Sequence, residues 1–129
     1  MRLIRPLAAA ALIGMLAGPA FARHEDPAAE LAKITQGRVA GKPVDCINLR
    51  QAGSSQIIDG TAIVYTVGST LYVNRPEGAK TLRSDDILFT KSYSSDLCRM
   101  DSVKLLDRGD RMMRGFVSLN EFVPYKRAG

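Results

Sequence analysis

The chain has no tryptophan, a single histidine and only two cysteines, and these shortages remove most of the familiar catalytic chemistry. The one imidazole belongs to His24, two residues past the expected cleavage point described below. Ser-His-Asp and Cys-His catalysis each require a positioned histidine. Zinc sites need more His or Cys ligands than the sequence holds. No serine is followed three residues later by lysine, no Gly-x-Ser-x-Gly occurs, and no glycine-rich phosphate loop is present, so the corresponding nucleophile and nucleotide motifs are excluded. A calcium loop would need alternate-position acidic ligands followed by Gly and Glu, and none is found. With four Phe and four Tyr, an aromatic platform for stacking sugars is poorly supplied. Beyond the N terminus no apolar run exceeds residues 61–67, far short of the roughly 20 needed to span a bilayer as a helix.

The N terminus itself carries Arg2 and Arg5, an apolar run over residues 7–18, and then Pro19-Ala20-Phe21-Ala22. Basic region, short apolar region and Ala-x-Ala site come in the order an export signal requires. Residues 1–22 are therefore expected to be removed, with 23–25 a flexible leader and 26–129 a single compact domain. Loss of Arg2 and Arg5 leaves 16 basic against 13 acidic residues, so the net charge falls from +5 to +3. Such a modest excess, on an exported chain, argues against a nucleic-acid partner and leaves room for weak attraction to acidic envelope surfaces. In an oxidising compartment the even pair Cys46 and Cys98 reads as a disulfide, closing a loop of 52 residues. The chain-entropy model assigns a loop of this size about 4 kcal/mol.

Along the domain, Asp26 as cap, Pro27 at the first helical position, Glu30 in the first turn and Gly37 as stop predict a helix over 27–36. About ten residues make a helix that is marginal alone, so it must cover a sheet face or plug an end. From residue 44 onward the pattern turns to strands, expected over 44–50, 55–58, 61–67, 70–74, 87–92, 102–106, 115–117 and 122–125. Asp59-Gly60 reads as a two-residue hairpin turn and Gly68-Ser69 as a second tight turn. Residues 61–67, apolar on both faces, predict a central covered strand. The fold class expected is mainly β (α+β), a small antiparallel sandwich or barrel with one short N-terminal helix.

Carboxylate pairs survive the exclusions because Asp and Glu alone can hydrolyse glycosidic bonds. Asp85 with Asp86, Asp96 with Asp101, and Asp107 with Asp110 all fall at predicted turns or strand ends, where Asp commonly bonds local backbone amides. The alternative to a binding module is thus a hydrolase using Asp85, Asp86 or Asp101 as acid and base. Arg108, Arg111 and Arg114 lie in one segment interleaved with Asp107 and Asp110, and Asn74 and Arg75 close the strand at 70–74. These five, Asn74, Arg75, Arg108, Arg111 and Arg114, form the expected interaction surface, since exposed Arg and aromatic residues dominate contacts.

The stretches Val44-Asp45-Cys46-Ile47-Asn48-Leu49-Arg50, Gln56-Ile57-Ile58-Asp59, Leu71-Tyr72-Val73-Asn74-Arg75 and Leu97-Cys98-Arg99-Met100-Asp101-Ser102-Val103 occur in this order. In this the chain resembles a family of small exported proteobacterial proteins, common in sphingomonad-like bacteria, whose function is unknown. The resemblance runs from the helix to Phe122-Val123-Pro124-Tyr125. Some members carry further Cys around the positions of Ala79 to Leu82 and Gly115, which this chain lacks, implying that only the Cys46–Cys98 bridge is common to them. The resemblance implies no activity, cofactor or catalytic residue. The sequence as a whole predicts an exported periplasmic or secreted protein without cofactor or catalytic set, binding an unknown envelope protein or surface.

Overall fold

The computed structural model describes Gly14 and residues 25–128. The expected signal, most of the leader and His24 lie outside the described residues. One helix, α1 (Pro27–Ile34), is followed by ten strands: β1 (Arg38–Ala40), β2 (Cys46–Asn48), β3 (Ala52–Ile58), β4 (Ala62–Val67), β5 (Thr70–Asn74), β6 (Ile87–Phe89), β7 (Asp96–Cys98), β8 (Ser102–Leu106), β9 (Met113–Ser118) and β10 (Phe122–Arg127). Every pairing is antiparallel, and the strands form three sheets, β1-β10-β5-β4-β3, β2-β7 and β6-β8-β9. The fold is mainly β with one helix, as the sequence predicts. No helix of the described residues is long and apolar enough to cross a membrane.

The centre of the five-stranded sheet is covered on both faces because β4 presents apolar side chains to each. Ile63 and Tyr65 point to one core, shared with Ile47, Leu97, Val103, Leu105 and Val117 of the two smaller sheets. Ala62 and Val64 point to a second core, where Leu31 and Ile34 of α1 close over Ile58, Leu71 and Val73. The helix thus covers one sheet face while the smaller sheets cover the other. Ala62–Val67 forms the interior strand that the sequence predicts over 61–67, with β5 and β3 on its flanks.

Several expected boundaries shift for identifiable reasons. The helix ends at Ile34 rather than residue 36: Thr35 N–H still makes the helical bond to Leu31 C=O at 3.0 Å, but Gln36 N–H turns to Lys33 C=O at 3.3 Å and Gly37 takes φ +75°. Asp26 precedes it but makes no side-chain capping bond. Strands begin at Arg38, not at 44: β1 is a three-residue segment held to β10, and Arg38 Nη1 donates to Ser69 C=O at 2.8 Å and Tyr125 C=O at 3.2 Å. The β3–β4 connection has three residues, with Gly60 at φ +59° and Thr61 N–H closing on Ile58 C=O. Gly68-Ser69 is the two-residue turn expected, with Val67 paired to Thr70. Glu25, expected in a flexible leader, pairs with Lys33 at 2.8 Å.

Cys46 and Cys98 are directly opposed in the β2–β7 ladder, Cα atoms 4.0 Å apart, and form a disulfide. The bridge locks a sheet of two three-residue strands that would not hold alone. Buried at the sheet centre, the Tyr65 ring meets Phe122 edge-on with centroids 5.9 Å apart, but its hydroxyl has no hydrogen-bond partner among the described residues. Burial pushes that hydroxyl above the usual tyrosine range. The folded state then keeps a proton that the unfolded chain releases, so this contribution is whole below about pH 10 and stability falls as pH rises beyond it. Tyr65→Phe removes an unsatisfied buried group, and we expect it to stabilise the protein by about 1 kcal/mol. Denaturant titrations from neutral to alkaline pH should also show a flatter alkaline decline in the variant. A destabilised variant with an unchanged alkaline slope would contradict this account.

Candidate interaction surface

The arginines and carboxylates singled out in the sequence are divided by the fold between structural brackets and free surface. Asn74, expected on the surface, is fully buried. Its Nδ2 donates to Asn120 C=O at 2.6 Å and its Oδ1 accepts from Asn120 N–H at 3.1 Å, so it bolts β5 to the turn before β10 and cannot touch a partner. The assignment of Arg114 to a free surface is likewise corrected. Its Nε donates to Asp86 Oδ1 at 3.1 Å, while Nη2 bonds Asp86 Oδ2 and, at 2.8 Å, Thr81 C=O. The hydrogen bonds to Asp86 hold the guanidinium pKa above its ordinary value. Asp86 is buried, and a two-pronged arginine is the partner that best compensates its lost hydration.

Arg75, Arg108 and Arg111 are exposed, but they do not converge. Arg75 lines a cleft of about 390 Å³ with Arg99, Asn120 and Glu121, where Arg99 pairs with Glu121 at 3.3 Å and Asp45 at 3.5 Å. Arg108 lines a different groove, with its Nε on Asp85 C=O at 3.0 Å. Arg111 tips the β8–β9 turn with φ at 61°.

Three of the remaining candidate carboxylates, those of Asp101, Asp107 and Asp110, bond local backbone amides. Asp101 Oδ2 accepts Cys98 N–H at 2.8 Å. Asp107 Oδ1 accepts Gly109 N–H and Asp110 N–H, and Asp110 Oδ1 accepts Met112 N–H. Asp59, not singled out in the sequence, accepts Ser84 N–H at 2.6 Å. The groove that reaches Asp86 has no second carboxylate in its lining. Among the described residues no group of three or more His, Cys, Asp or Glu is arranged to hold a metal ion.

What sequence reading misses is the outer face of the β6-β8-β9 sheet. Val103 and Leu105 of β8 point inward, which turns Lys104 outward. Register places Phe89 on one side of Lys104 and Phe116 on the other. The next row is Ile87, Leu106 and Met113. Phe89, Phe116 and Met113 are 46%, 59% and 55% exposed, and Met112 adds a further exposed side chain at the turn. Lys104 makes no ion pair among the described residues. The alternation Val103-Lys104-Leu105 signals an outward lysine, but the phenylalanines join it only through cross-strand register, which no local pattern reveals. Apolar side chains gathered on one exposed face, rather than scattered singly, mark a contact surface.

Comparison with protein-family models, with characterised proteins and with solved structures finds no match to this chain.

The division of arginines is measurable. Arg114→Ala strands the buried Asp86 and should destabilise by about 3 kcal/mol, the lower end for a broken buried pair, because the Arg114 side chain keeps 23% exposure. Arg75→Ala and Arg108→Ala should stay within about 0.5 kcal/mol of wild type. Equal effects at all three positions in urea titrations would refute the division.

Proposed function

We propose that this chain is a non-enzymatic binding module, exported to the periplasm or beyond, that contacts an envelope partner through the outer face of the β6-β8-β9 sheet. Export is supported by the signal-like residues 1–22 and by a disulfide, which persists in oxidising compartments. It also fits the resemblance to small exported proteobacterial proteins. A non-catalytic role is supported by the lack of an imidazole in the described domain, by the engagement of Asp101, Asp107 and Asp110 with backbone amides and by the pairing of Asp86 with Arg114.

The observation that carries the reading is the row Phe89, Lys104, Phe116 with Met113 beside it. Aromatic and methionine side chains are enriched at contact surfaces, and a lysine amid them favours partners with a complementary charge. The double variant Phe89→Ser and Phe116→Ser should recover at least about tenfold less of the envelope partner retained by wild type, as loss of two contact aromatics implies. Its melting temperature should stay close to wild type, since both rings are exposed. Undiminished recovery by a folded double variant would contradict the proposal.

A further inference from the structure

A second feature lies on the neighbouring side of β6. Among the described residues, β3 pairs only with β4 and β6 only with β8. These two open strand edges line one groove of about 480 Å³, with Ser55, Gln56 and Ile57 on the β3 side and Ile87 and Leu88 on the β6 side. We propose that this groove accepts an extended segment of a partner protein, which adds as a strand between β3 and β6.

Three observations carry the proposal. The first is contrast with the outer edges of β1 and β9. Soluble proteins guard open edges with charge, proline, short strands or a covering segment. β1 begins with Arg38 and is followed by Lys42 and Pro43. β9 meets Glu77 through the Glu77–Ser118 bridge. By contrast, residues 54–57 and the three residues of β6 contain neither charge nor proline, and both segments line the same groove.

The second is hydrogen-bonding capacity. An edge leaves alternate backbone N–H and C=O groups unpaired, and an incoming strand satisfies them. A strand lying between two edges would take both rows and join the five-stranded sheet to the three-stranded one. Four residues of edge, 54–57, span about 13 Å at the usual strand rise, enough to register a short segment.

The third is the chemistry of the walls. Ile57 belongs to the larger core and Leu88 packs against it, so every second side chain of the guest would be apolar to continue that core. At the Asp85–Asp86 end stands Arg108, whose Nε is engaged by Asp85 C=O while its two terminal nitrogens make no hydrogen bond among the described residues. Asp86, the carboxylate in the lining, is already paired with Arg114. The groove therefore suits an alternating apolar segment with an acidic side chain or free C-terminal carboxylate at one end.

The test uses the full folded chain and a displayed library of ten-residue peptides, with enriched peptides then synthesised and followed by amide hydrogen exchange. Enriched peptides should alternate apolar residues and carry a carboxylate. They should slow exchange of amides in 54–57 and in Ile87–Phe89 by about tenfold or more, as new backbone bonds require. A central proline in the peptide should abolish this. Arg108→Ala should weaken acidic peptides about tenfold, the size of one charge-assisted bond, and leave their amidated or neutral versions unchanged. The proposal is overturned if no peptide is enriched, if proline-containing peptides bind equally well, or if protection falls on Phe116 and Lys104 instead of the two edges. Edge protection that grows with protein concentration in the absence of peptide would assign the groove to a second copy, and would equally overturn it.

Discussion

The fold depends on a strand with no polar side. β4 presents Ile63 and Tyr65 to one core and Ala62 and Val64 to the other, all buried. An antiparallel sheet with such a strand in its interior cannot leave either face in water. Each face therefore recruits its own cover. The short amphipathic α1 suffices over the smaller core, where Leu31 and Ile34 meet β3, β4 and β5. The larger core requires residues from both smaller sheets and from the connecting segments, including Leu82 and Leu119.

Covering the second face with strands of three to six residues creates a stability problem, since such sheets have little cooperativity of their own. The chain answers with local brackets at the points where those sheets join the rest. The disulfide clamps β2 to β7, Asn74 bonds the turn at Asn120, and Arg114 holds the buried Asp86 and Thr81. Asn74, Asp86 and Arg114 are thereby committed to holding the small sheets in place. Two surface features stand outside these brackets, the outer face around Lys104 and the groove between β3 and β6. Our functional reading rests on that division between residues used inside and surfaces left outside.

Much of this architecture is legible in the sequence because its causes are local. The β-branched run in β4, the Gly68-Ser69 turn and Pro27 at the start of α1 each act within a few residues. β1 and β7 are invisible by the same criterion. Arg38-Val39-Ala40 becomes a strand only because β10 lies beside it, and Asp96-Leu97-Cys98 only because Cys46 is fixed opposite. The site follows the same rule. Arg75, Arg108 and Arg111 are exposed, as charge alone suggests, whereas Asn74 and Arg114 are claimed by partners 46 and 28 residues away in sequence. The pairing of Phe89 with Phe116 across Lys104 is a matter of register, set by a core that no window of sequence contains.

The most direct test of the central claim is native-state hydrogen exchange across the whole domain. If burial of both β4 faces organises the fold, amides of Ala62–Val67 and their partners in Thr70–Asn74 should exchange only through global unfolding. Amides of β6 and the outer edge of β3 should exchange by smaller openings. Slowest exchange in the β6-β8-β9 sheet, with β4 opening earlier, would show that the molecule is organised around a different element and would contradict the account.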